Sequence, residues 1–156
     1  MALPGARPGL VFRYEYLWKR QQLAGRNAGE KDRPACVVLA ISGPAGNQRV
    51  VIAPITTQAP ATGVPALAIP PAIVRHLGLG GDRASWIILN EVNLDVWPSP
   101  DMRPIPDRPE HFQYGVLPLR MVNAIRETIL AALAARRLAS VQRDNEAPLP
   151  GTTIED

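Results

Sequence analysis

The stretch RPACVVLAISGPAGNQRVVIAPITT, residues 33–57, decides the fold. Ala35 to Ile41 is an unbroken apolar run of strand length, Ser42 to Asn47 consists of turn formers, and Arg49 to Ile55 is a second run rich in β-branched residues. Two such runs around a turn predict an antiparallel hairpin. Its open end carries the chemistry. The start of the first strand lies beside the end of the second, which makes Arg33 and Thr56 neighbours. A guanidinium donates two parallel charge-assisted bonds and a threonine hydroxyl adds a third donor, a natural cradle for a phosphate. The same two residues also suit a surface ion pair and a turn.

Working outward on the N-terminal side, Leu10, Phe12, Tyr14 and Tyr16 alternate with Arg13 and Glu15, the period of a half-buried strand. Leu17 to Asp32 is polar, with Gly25, Asn27 and Gly29 spaced through it, and reads as a long loop opened by a helical turn over Lys19 to Leu23. On the C-terminal side, a loop over Ala59 to Pro65 precedes a short strand, Ala66 to Ile69. Pro70 and Pro71 start a helical turn that Gly78 stops. Further strands follow at Ser85 to Leu89 and Val92 to Trp97, and the proline-rich Pro98 to Pro109 is irregular. Pro118 opens the clearest helix, with Leu119, Val122, Ile125, Ile129 and Leu133 along one face and Arg136 and Arg137 in the last turn.

A chain of 156 residues fits one domain, and 17 prolines argue against a helical bundle. The expected class is mainly β with α: a compact barrel over residues 9–140, closed by a C-terminal helix. Residues 1–8 are expected to be a flexible N-terminus and 141–156 a disordered tail.

No apolar run is long enough for a membrane span and MALPGARPG lacks the core of a secretory signal, so the expected compartment is the cytoplasm with no membrane partner. The single cysteine, Cys36, lies inside an apolar strand and reads as a buried reduced thiol. His76 and His111 are far apart with no ligand-spaced partners, so no metal and no other cofactor is expected. Gly78 to Gly81 lacks the pattern of a nucleotide loop. The net charge is only +3, yet Arg13, Lys19, Arg20, Arg26, Lys31 and Arg33 crowd the first part of the chain. Such a segment suits a phosphate-bearing partner or a solvated basic loop.

In order and spacing, Gly9 before the first strand, the basic glycine-containing loop, Arg33-Pro34, the apolar strand, Pro54-Ile55-Thr56-Thr57, the later acid Glu91 and the closing helix resemble the MazF/PemK family of bacterial toxin–antitoxin systems. The likeness covers Gly9 to about Arg137. It implies an SH3-like barrel, a homodimer paired with a cognate antitoxin protein, and metal-independent endoribonuclease activity on single-stranded RNA through attack by the ribose 2′-OH. By this resemblance Arg33 stabilises the charge that develops on phosphorus, Thr56 holds a non-bridging oxygen, and Glu91 or Glu30 is a candidate general base. Lys31, Arg26, Thr57, Gln58 and Arg13 are the expected RNA contacts. The longer loop before Arg33, the added proline-rich stretch, and Leu89 where some members carry a basic residue are departures. They keep a second reading open, a non-catalytic barrel that binds a protein partner or RNA.

Overall fold

The computed structural model describes residues 5–43, 47–80 and 83–145. In chain order the elements are β1 (Leu10–Tyr14), α1 (Lys19–Leu23), β2 (Arg33–Ser42), β3 (Gln48–Thr56), β4 (Ala66–Ile69), α2 (Pro71–Leu77), β5 (Ser85–Ile88), β6 (Glu91–Trp97), β7 (Gln113–Val116), α3 (Leu119–Ala134) and β8 (Ala139–Gln142). The strands form one strongly curled, mainly antiparallel half-barrel, ordered β4-β5-β3-β2-β1-β7, with β6 and β8 branching from β3.

The expected hairpin is its spine. β2 and β3 pair antiparallel from Ala35↔Pro54 to Ser42↔Gln48, with an irregularity between Val37 and Leu39. Such a bulge bends and twists the ribbon. On its other edge β3 first pairs with β6, over Gln48 to Ile52, and then with β5, through Ile55 and Thr56. One long strand thus hands its edge from one partner to another, and this fork curls the sheet.

The curled sheet is buried on both faces. One cluster holds Val11, Cys36, Ala53, Ile55, Ile87 and Leu89 beneath α2 and α3, and the other holds Leu10, Phe12, Tyr14, Tyr16, Val37, Ile52 and Trp97. The alternation in β1 therefore separates two cores. Val11, on the face opposite Phe12, is fully buried. Cys36 is also fully buried, and burial pushes its thiol up to about 12.

Gly9 is required where β1 begins. It has φ +93°, and a Cβ there would meet Val122 Cγ2 at 2.7 Å. Its N–H donates to the Val37 carbonyl and its own carbonyl accepts from Leu117 N, tying β1 to β2 and to the entry of α3.

Three expectations are corrected. The buried residues of α3 are Met121, Ile125 and Ala132, whereas Leu119 and Leu133 are 72% and 52% exposed. The apolar spacing from Leu119 to Leu133 spans more of the circumference than the sheet covers. Arg136 and Arg137 lie beyond the helix. Arg136 takes φ 56°, and the N–H groups of Arg136 and Arg137 donate to the Leu133 and Ala132 carbonyls. This is a left-handed helix stop built without glycine.

The third correction concerns the ends. Ala6, placed in a flexible N-terminus, is buried and exchanges two hydrogen bonds with the Gln48 side chain, of 2.8 and 3.1 Å. The expected disordered tail starts instead inside β8, which pairs parallel with β6 through Val92↔Ser140 and Asn93↔Val141. Beyond it Arg143 is buried. Its guanidinium donates to the Glu15 carbonyl, Tyr14 Oη, Asn93 Oδ1 and Asp101 Oδ2. Asp95, equally buried, accepts from Tyr14 Oη, Ser99 Oγ and Asn145 Nδ2. Arg143, ion-paired with Asp101, and Asp95, held by neutral donors, anchor β8 and the proline-rich stretch to β1 and β6, as buried ions require. Residues 146–156 lie outside the described residues, as do 1–4.

Candidate functional site

Continuing the Ala35↔Pro54 register outward by two residues sets Arg33 opposite Thr56, at the open end of the hairpin. That end forms the floor of an open cleft of about 770 Å³. One wall is the segment after β1, carrying Tyr16, Trp18, Arg20 and Gln21, and then Glu30 and Lys31. The opposite wall is the loop after β3, from Thr57 to Val64, and the β5–β6 junction contributes Ile88, Asn90 and Glu91 at the base.

The first wall is held in place locally. Gly29 packs against the end of β1, where a Cβ would run into the Tyr16 carbonyl. The helix α1 is capped from a distance: Glu91 Oε1 accepts from Lys19 N at 2.9 Å and from Tyr16 Oη at 3.1 Å. Gln21 turns back to accept from Trp18 N at 3.1 Å, satisfying another amide of the helix start. A carboxylate at this position also complements the helix dipole.

Arg33 is half-buried, and its guanidinium lies 5.1 Å from the Trp18 ring centroid; Arg20 lies at the same distance from that ring. Burial lowers the Arg33 pKa, and the neighbouring cations Arg20 and Arg13 lower it further. An arginine stays charged under any such shift. The effect is a positive centre held without a carboxylate partner among the described residues, a state that an anion relieves. Thr56 is half-buried beside it, and its Oγ1 accepts from Gln58 N at 3.1 Å, shaping the turn into Thr57 and Gln58.

Of the residues selected from the sequence, Arg33, Thr56, Glu91, Glu30, Lys31, Thr57 and Gln58 all line this cleft. Two do not. Arg13 points away, donating to Asp32 Oδ2 at 2.9 Å and to Tyr114 Oη at 3.2 Å. Burial lowers its pKa, but these two partners outweigh it and the net shift is upward. Arg26 lies outside the cleft, donating to the Ala28 carbonyl and facing Glu30 at 3.9 Å. The two candidate bases are both engaged: Glu91 caps α1, and Glu30 Oε1 accepts from Gln21 Nε2 at 2.8 Å.

The sequence reading missed Trp18 and, while noting Asn90 beside Glu91, gave it no role. Trp18 follows the strand alternation without a motif of its own, and Asn90 stands out only as the neighbour of Glu91. Among the described residues, three buried side-chain polar atoms have no hydrogen-bond partner: Trp18 Nε1, Arg33 Nε and Asn90 Oδ1. All three belong to cleft residues. Chemically the cleft offers fixed and flexible cations, hydroxyl and amide donors, an aromatic ring and two carboxylates. Such a set of groups can bind a polar ligand through charge, hydrogen bonds and stacking.

Comparison of the chain with family models and with curated proteins returns no match.

Proposed function

We propose that the chain is a toxin-like endoribonuclease with an SH3-like barrel, and that the cleft binds single-stranded RNA and cleaves it by attack of the ribose 2′-OH. The observation that carries this reading is Arg33, half-buried against Trp18 with no carboxylate partner among the described residues, in an open cleft that Thr56 and Lys31 also line. A trigonal-bipyramidal phosphorane gains negative charge on its non-bridging oxygens. A preorganised guanidinium stabilises that charge without reorganising at the moment of reaction. Thr56 adds a donor for the same oxygens, and Arg20, held against the same Trp18 ring as Arg33, adds a second cation to the cleft.

Glu91 is the better placed of the two acids for proton transfer, since its backbone is fixed in β6 and its carboxylate reaches the cleft. A homodimer and a cognate antitoxin are the partners this reading entails. Incubation with a long single-stranded RNA in EDTA tests it. Wild type should generate 2′,3′-cyclic phosphate ends and Arg33→Ala should not; equal product from both proteins would overturn the assignment.

One observation favours the second reading, binding without cleavage. Glu91 Oε1 already holds Tyr16 Oη and the first amide of α1, so using this carboxylate as a base loosens the wall beside it. RNA that binds in an Arg33-dependent manner and stays intact would establish that reading.

A further inference from the structure

Native interiors rarely leave polar atoms unpaired, because each has lost its water without gaining a partner. Among the described residues the three such atoms all belong to residues that line one cleft, and they are not equivalent. Trp18 Nε1 and Arg33 Nε are donors, whereas Asn90 Oδ1 is an acceptor. A phosphate can satisfy the two donors, but its oxygens give nothing to Asn90. The cleft is therefore incomplete as a bare anion site.

We propose that Asn90 is a specificity residue of this cleft, whose Oδ1 accepts a hydrogen bond from a nucleotide donor, a base N–H or a ribose hydroxyl, while Arg33 holds the adjoining phosphate. The inference rests on the RNA-binding reading above and adds to it the group that separates a nucleotide from a simple polyanion.

The backbone around Asn90 is fixed. Its carbonyl accepts from Ala139 N at 3.0 Å, and Leu89 N donates to the Pro65 carbonyl at 2.9 Å. The side chain is free by comparison, because the terminal amide torsion is soft. Among the described residues Oδ1 has no partner and is shielded from solvent, so turning the amide toward the cleft breaks no bond at Oδ1, while it carries Nδ2 toward the position Oδ1 leaves. A donor arriving there gains a hydrogen bond whose acceptor was already dehydrated in folding, which makes that bond worth more than one formed at the surface.

The test is fluorescence anisotropy with two labelled probes, a random-sequence single-stranded RNA hexamer pool and its 2′-deoxy counterpart, with inorganic tripolyphosphate as a competitor. RNA integrity is checked after each titration. Asn90→Leu and Asn90→Ala should weaken RNA binding about tenfold, the value of one lost hydrogen bond, and leave the tripolyphosphate affinity unchanged. Weakening on both pools assigns the donor to the base, and weakening on RNA alone assigns it to the ribose hydroxyl. Because Asn90→Leu removes an unpaired acceptor, its melting temperature should equal or exceed that of wild type; if it fails to fold, Asn90→Ala carries the test.

Wild-type affinity in both variants, or a parallel loss for tripolyphosphate, would overturn the proposal. Arg33→Ala separates the two levels of the argument. If it binds RNA as wild type does, the RNA reading of the cleft itself fails; if it binds poorly while the Asn90 variants bind normally, only the role of Asn90 fails.

Discussion

Replacing Arg143 with methionine should destabilise the protein severely, although the residue lies in what the sequence presents as a polar tail. The Arg143 side chain is only 2% exposed. It donates to the Glu15 carbonyl at 2.6 Å, to Asp101 Oδ2 at 2.9 Å, to Tyr14 Oη at 3.0 Å and to Asn93 Oδ1 at 3.2 Å, and its guanidinium lies 5.3 Å from the Tyr14 ring centroid. Methionine preserves the stem and removes every donor. Asp101 then lacks its cation, and the Glu15 carbonyl loses a close partner. Breaking a buried ion pair by removing one member costs about 3–5 kcal/mol. For a chain of this size that corresponds to a fall in melting temperature of about 6–20 °C. Urea unfolding followed by circular dichroism and by tryptophan fluorescence measures the loss directly. Arg143→Lys should fall between the two, since it restores charge without the planar fork. In a double-mutant cycle with Asp101→Asn, a coupling of about 0.5–3 kcal/mol is expected. A loss below about 1 kcal/mol for Arg143→Met would refute the docking of β8 and Arg143 against β6 and β1.

Three further outcomes follow from the same packing. Ile125→Ala should cost about 2–5 kcal/mol and Leu133→Ala less than about 1 kcal/mol, because only the first side chain is buried; equal losses in denaturant midpoints would mean that α3 is rotated from its described orientation. Arg136→Gly should stabilise the protein by about 1 kcal/mol in urea unfolding, since a left-handed conformation strains any residue with a Cβ, and a loss would show that the arginine side chain matters more than its backbone. Burial raises Tyr14, with Asp95 adding to it, and burial raises Tyr16, with Glu91 adding to it; burial likewise pushes Cys36 up to about 12. In each case the folded state holds its proton more tightly than the unfolded one. The stability these groups contribute should therefore be constant between about pH 7 and 8.5 and fall steadily above it, first through the thiol and past about pH 10 through the tyrosines. A urea midpoint unchanged between pH 8 and 11 would contradict this burial.

The sequence by itself determined most of the local elements, β7 and β8 excepted, and placed Arg33 and Thr56 together at the open end of one hairpin. A continuous apolar run, a turn and a second run leave little choice but a hairpin, and that pairing alone brings Arg33 opposite Thr56. Proline before α2 and glycine after it marked that helix correctly, because both act through backbone torsions that need no tertiary partner. Tertiary structure decided whatever depends on which surfaces meet. The chain could show that α3 has an apolar side, but only its fit against the curled sheet chose Ile125 over Leu133. The charged residues from Gln142 onward read as solvated because local sequence shows polarity and hides pairing, and Arg143 becomes a buried residue only once Asp101, Asn93 and Glu15 are gathered from distant positions around it. The same holds for the cleft. Arg13 and Arg33 look alike in the sequence, yet Asp32 and Tyr114 occupy one guanidinium and a tryptophan from another segment holds the other in the cleft.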